Sequence, residues 1–267
     1  GCSHIFVSGC SIQGTDDNLC LQSSSLPVND VHISNCSFSS VCAAIRIGLK
    51  SIGSISDVHI SHCSMKNVWR EGIKIECSEG GNISDINIQD ITMNDVSRPI
   101  FILLNNRFEP DDLGSSLELD HIPEIGTMSD IIISDIIASD SDEMRNTHYR
   151  FDDDVMGSPK FAGIRIDAEK NHPIRNLTLR NISYKFIGGV KLSDIPNEYP
   201  EVIDKLIDCD ILSSENYYPD WSRASFMDIR NIIGLNVRNI QCFAIYPDER
   251  RGIITENVQF SDNSDNL

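Results

Sequence analysis

The chain has 267 residues, 40% of them hydrophobic and 7% aromatic, with a formal net charge of −18. That length can bury a large core, while the charge argues against nucleic acid and anionic membrane surfaces, since neither attracts an acidic protein. No apolar run approaches the roughly 20 residues of a membrane-spanning helix, and no signal peptide is read at the start.

In chain order, the first element is an alternating strand over residues 4–12, and its pattern returns at least six more times. It leads into Ile12-Gln-Gly-Thr-Asp16-Asp17-Asn-Leu19, a turn with two adjacent carboxylates. The next copies are Asp30-Val-His-Ile-Ser-Asn-Cys-Ser-Phe38, Asp57-Val-His-Ile-Ser-His-Cys-Ser-Met65 and Asp85-Ile-Asn-Ile-Gln-Asp-Ile-Thr-Met93. Later copies begin at Asp130, Asn176 and Gly234, so the starts are separated by 27 and 28 residues early on and by 45, 46 and 58 later. Within each unit the apolar residues alternate (Val31, Ile33; Val58, Ile60; Ile86, Ile88), the two-residue period of a half-buried strand.

A second short strand follows in most units: Leu19-Cys-Leu21, Ile45-Arg-Ile47, Ile73-Lys-Ile75, Ile100-Phe-Ile102 and Ile164-Arg-Ile166. Units this short cannot bury an apolar face alone and must stack, each strand bonding to its copy one coil away. The expected fold is all-β, a right-handed parallel β-helix: a solenoid of coils 26–28 residues long with loop insertions. One domain over residues 1–267 is expected, truncated at its N-terminal end. The insertions fall at residues 105–127, 139–162 and 188–229, where long loops would wall a groove.

Seven of the nine cysteines lie before residue 78. Cys10, Cys36 and Cys63 share a repeat column with Ile91, Ile136, Ile182 and Ile240, so cysteine substitutes there for a small apolar residue. Most are expected to be reduced and buried, which favours a reducing, cytoplasmic compartment. His32 and His59 share an outward column and should stack as surface imidazoles, and Asp152-Asp153-Asp154 reads as a solvated loop.

Stacking turns sequence columns into neighbours about 4.8 Å apart. It sets Asp16 over Cys42 and Asp17 over Ala43, with Trp69 and Arg70 in the same turn column one coil further on. On the following strand one outward column runs Cys20, Arg46, Lys74, Phe101, and the next Gln22, Gly48, Glu76, Leu103. A carboxylate pair beside cations splits its two pKa values. That split is what glycoside hydrolysis asks of its acid and base. Asp16 and Asp17 are the candidate catalytic residues; Arg46, Lys74, Glu76 and Trp69 are the candidate substrate-binding residues, Trp69 through stacking on a sugar ring. No metal and no cofactor is expected, and the expected partner is a carbohydrate.

Residues 10–23 resemble the Gly-Asp-Asp strand entry of glycoside hydrolase family 28, the polygalacturonase-like enzymes. Residues 39–48 stand at the family's Gly-His-Gly segment and residues 71–76 at its Arg-Ile-Lys segment, while Tyr199-Pro-Glu201 and residues 230–251 resemble its C-terminal coils. The resemblance implies that Asp16 is the general acid, that Asp17 holds the attacking water, that the anomeric carbon inverts and that the protein is secreted. Cys42 replaces the family histidine, Val41 and Ala43 its glycines, and Glu76 reverses one cation. A third family Asp belongs one coil earlier, ahead of Gly1. These departures favour a divergent glycosidase acting on pectin-derived or related saccharides. Its rivals are a calcium-dependent polysaccharide lyase and a non-catalytic carbohydrate-binding β-helix.

Overall fold

The computed structural model describes residues 1–108, 121–141, 163–194, 224–262 and 264. These residues are all-β, with thirteen strands, a short 3₁₀ turn at Leu192–Asp194 and no α-helix among them. The strands are β1 Cys2–Ser8, β2 Ser11–Gly14, β3 Leu19–Leu21, β4 Val28–Ser34, β5 Ser37–Ser40, β6 Ile45–Leu49, β7 Ile55–Cys77 and β8 Asn82–Leu104. They continue as β9 Thr127–Ser139, β10 Ile164–Ala168, β11 Ile174–Gly188, β12 Ala224–Tyr246 and β13 Arg251–Phe260. No helix among the described residues is long and apolar enough to cross a membrane.

Alternation dictates the pairing. Each strand buries every second side chain, and its copy further along the chain buries the same ones, so parallel in-register pairing keeps like beside like. The first row joins Ile5, Val31, Val58, Ile86, Ile131 and Leu177 in sequence-order pairs. A second joins Ile12, Phe38, Met65, Met93, Ala138 and Tyr184. A third joins Leu19, Ile45, Ile73, Ile100, Ile164 and Met227. From the second member of each row onward these side chains are buried, and they form one apolar core. The short strands beginning at Leu19, Ile45, Ile73, Ile100 and Ile164 therefore lie in one row, in the register read from the repeat.

Corners between rows need left-handed backbone, and the residues there are Asp, Asn, His or Gly, which tolerate it. Asp30, Asp57, Asp85, Asp130 and Asn176 have φ of 54–57° in one corner row, and Gly234 takes their place at φ 80°. Five residues later, Asn35, His62, Asp90, Asp135, Asn181 and Asn239 form a second such row at φ 49–58°. Side-chain amides bridge paired strands: Asn176 Nδ2 donates to Asp130 Oδ1 at 2.9 Å, Asn181 Nδ2 to Asp135 Oδ1 at 2.8 Å, and Asn239 Nδ2 to Asn181 Oδ1 at 3.0 Å.

Eight cysteines are described and all are free thiols. Burial divides them evenly: Cys36, Cys42, Cys63 and Cys77 are buried, while Cys2, Cys10, Cys20 and Cys242 are exposed. Cys10 departs from the expected burial because only one strand of its row, β5, packs over it. His32 and His59 stack with ring centroids 5.1 Å apart, and Phe6 lies on His32 at 5.0 Å. Asp152, Asp153, Asp154, Tyr199 and Glu201 lie outside the described residues, as does most of each insertion.

Candidate functional site

The paired-Asp turn is held by the segment that joins β5 to β6. Ser40 Oγ donates to the Asp16 carbonyl at 2.6 Å and itself accepts the Cys42 N–H at 2.9 Å. The Asn18 N–H reaches the Ala43 carbonyl at 3.1 Å. Asp16 is exposed, and its Oδ1 accepts the Asp17 N–H at 2.7 Å. Asp17 turns inward instead: Oδ1 accepts the Ala43 N–H at 3.0 Å and Oδ2 accepts Arg46 Nη1 at 2.8 Å. Its side chain is 6% exposed. Burial pushes its pKa up, yet the Arg46 guanidinium and the bonds to it outweigh that and hold the carboxyl below its ordinary value.

From Arg46 the ion pairs continue from β6 to β7. Arg46 Nε donates to Glu76 Oε2 at 3.2 Å, and Lys74 Nζ lies 3.4 Å from Glu76 Oε1. Gly48 occupies the column between Gln22 and Glu76 at φ +91°, where a Cβ would sit 1.8 Å from the Glu76 carbonyl oxygen. Only glycine lets the chain pass there. A second branch joins Arg70 Nε to Glu71 Oε2 at 3.5 Å and Arg98 Nη1 to Glu71 Oε1 at 3.9 Å. Glu71 is fully buried; burial opposes its charge, but Arg70, Lys74 and Arg98 together keep its pKa below the ordinary value. Lys74 and Arg98 also face the Phe101 ring at 5.9 and 5.5 Å.

Three corrections to the sequence expectation follow. Arg46, Lys74 and Glu76 do point away from the apolar core, but they are covered, at 3%, 0% and 1% exposed, so they bond one another rather than an open trench. Trp69 is 2% exposed and presents no ring face for a sugar. It also misses the expected column. The register between β5 and β7 shifts by one residue between Phe38 and Ser40, so Ser40 pairs with Val68 and Ile45 with Ile73. Cys42 therefore lies over Arg70, whose Nη1 is 3.3 Å from its Sγ, and Ala43 over Glu71. One bulge residue moved the whole turn along, which strict counting by coil length misses.

Asp16, Asp17 and Cys42 bring one ligand-type atom each to within 4.8 Å of one another. Two oxygens and one sulfur fit a borderline divalent cation in number, but Arg46 and Arg70 bonded to two of the three oppose a positive ion there. The sequence reading placed Arg70 in the turn column without giving it a role and left out Glu71 and Arg98, whose signal was present as charges in otherwise apolar strand columns.

A second ionic cluster continues the outward columns past Phe101 and Leu103. Arg165 pairs in register with Asp228, and Asp167 lies two residues on. Arg230 Nε donates to Asp228 Oδ1 at 3.4 Å. Burial pushes the Asp167 carboxyl up to about 7, against the pull of Arg165 and Arg230 and with Asp228 adding to it. In comparisons with known proteins, no family model and no curated protein sequence matches this chain.

Proposed function

We propose that the chain is a right-handed parallel β-helix that hydrolyses glycosidic bonds in pectin-derived or related saccharides, resembling the polygalacturonase-like enzymes of glycoside hydrolase family 28. The fold reading is supported by three rows of parallel strands that repeat at coil spacing. The activity reading is carried by one observation: two adjacent carboxylates in opposed surroundings. Asp17 is held ionised by Arg46 and the Ala43 N–H, while Asp16 stands in solvent.

In this reading Asp16 gives its proton to the leaving glycosidic oxygen as the C–O bond breaks. Asp17 orients a water whose oxygen attacks the anomeric carbon and accepts its proton. Arg46, Lys74 and Glu76 are positioning residues that fix the charge of Asp17, since their burial keeps them off a bound sugar. The two carboxyl groups come within 4.8 Å, closer than the roughly 6.5–9.5 Å of typical inverting pairs. Inversion is therefore proposed on the family resemblance, and the anomer first released, read by NMR, decides it. Asp16→Asn should lower reducing-sugar release from pectic oligosaccharides by about 10²–10⁴-fold; undiminished turnover discards the acid assignment.

A second reading is a non-catalytic saccharide-binding protein. The observation that favours it is the burial of Arg46, Lys74, Glu76 and Trp69, together with Cys42 at the family's histidine position. Saccharide binding without release of any product would select it. An unsaturated product formed only with calcium would select a lyase.

A further inference from the structure

Away from the Asp pair, at the second corner row, the stack carries an open groove of about 460 Å³ that crosses four coils. Its floor is a ladder of hydroxyls, Ser11, Ser37, Ser64 and Thr92, paired in register from coil to coil. None of these four hydroxyls has a hydrogen-bond partner among the described residues. One wall is the corner row itself, where His62 Nε2 lies 3.5 Å from Asp90 Oδ2. Cys10, Cys36 and Cys63 line the groove beside the hydroxyls, with Cys10 exposed. Ser11 is separated from Asp16 by the length of β2, roughly 10 Å, and by the turn beyond Gly14, so the groove and the Asp turn can be occupied independently.

We propose that this groove binds an extended, uncharged polysaccharide lying along the stack axis. Free hydroxyls recur about every 4.8 Å, a rise close to that of one sugar in an extended pyranose chain. Each coil thus offers a donor and an acceptor to successive sugars. The polymer is uncharged because the groove wall carries the Asp90 carboxylate and none of its described lining residues is Lys or Arg, so an anionic chain would meet unoffset repulsion there. This differs from the pectic substrate proposed for Asp16 and Asp17 and does not depend on it.

Affinity electrophoresis of the full chain through gels containing hydroxyethyl cellulose, a soluble neutral glucan, tests the assignment. The protein should be retarded, and Ser64→Arg, which drives a long side chain into the groove from an exposed position, should weaken retardation about tenfold. Thr92→Lys is the second blocking variant, with folding of both checked by circular dichroism. Asp16→Asn should bind as the parent does, which separates this site from the proposed hydrolytic one. Alkylation of Cys10 by iodoacetamide should slow when the polymer is present, while that of Cys242, near the far end of the chain, should not. The proposal is overturned if neither retardation of the protein nor Cys10 protection occurs, if both blocking variants bind as the parent does, or if polygalacturonate in the gel retards the protein and the blocking variants abolish that retardation.

Discussion

At Asp167 the cost of burying a carboxylate is legible as a pH dependence. Its side chain sits at the covered face of β10, with Asp228 adding repulsion, and its carboxyl titrates at about 7 rather than at the ordinary 3.8. Between those values the folded protein keeps a proton that the unfolded chain has released. Stability contributed by that proton is complete below about pH 4 and is lost as pH rises to about 7. The loss over that window amounts to a few kcal/mol. Asp167→Asn, which keeps the shape without the charge, should flatten this slope and raise the melting temperature at pH 8 above that of the parent. Equal melting curves across pH for the two proteins would remove the burial account. Asp17 shows the opposite balance, since Arg46 and a backbone N–H more than offset its desolvation. Its stabilisation is present above the ordinary carboxylate range and lost only as pH falls below it. The two acids thus differ in sign because Arg46 stands at hydrogen-bond distance from Asp17, while Asp167 Oδ2 is buried without a hydrogen-bond partner among the described residues.

The corner rows explain how strands of this kind turn without long loops. An L-residue with a side chain beyond Cβ pays about 1–2 kcal/mol to sit in the left-handed region, and Asn recovers part of that through local bonding. Asn181 adds a cross-strand contribution, donating to Asp135 and accepting from Asn239. Asn181→Ala should therefore destabilise by roughly 1–2 kcal/mol, measured as a shift in denaturant midpoint. Asn181→Gly should lose only the ladder bonds and cost less; the reverse order would mean that the corner conformation is not what selects Asn. Such corners are partly legible in sequence, since the repeats begin on Asp30, Asp57, Asp85, Asp130 and Asn176. Strand rows were legible too, because alternation of Val and Ile states which side faces inward. What alternation leaves open is whether the outward side meets water. Arg46, Lys74 and Glu76 read as a solvent-facing cationic and acidic column, and their burial depends on what covers them. The bulge on β7 opposite Phe38 and Ser40 was hidden for a different reason: one inserted residue shifts the register without altering the alternation on either side, and the pairs Phe38–Met65 and Ser40–Val68 reveal it.

For the molecule as a whole, two electrostatic regimes coexist. A chain of −18 repels itself over its surface, and that repulsion acts through water and is screened by salt. The ion pairs around Arg46, Glu76, Lys74 and Glu71 lie at 0–3% exposure, where little electrolyte reaches. Added salt should thus weaken the destabilising term more than the stabilising one. Raising NaCl from about 10 mM to about 150 mM shortens the screening length from roughly 30 Å to 8 Å. The melting temperature at pH 7.5 should rise by several degrees over that range. Since all eight described cysteines are free thiols, a phosphine reductant should leave the rise unchanged. A melting temperature that falls with salt would mean that solvent-accessible ion pairs, not the buried network, hold the strands together. In that case the burial of Arg46 and Lys74, on which the assignment of Asp17 as a fixed anion depends, could not be maintained.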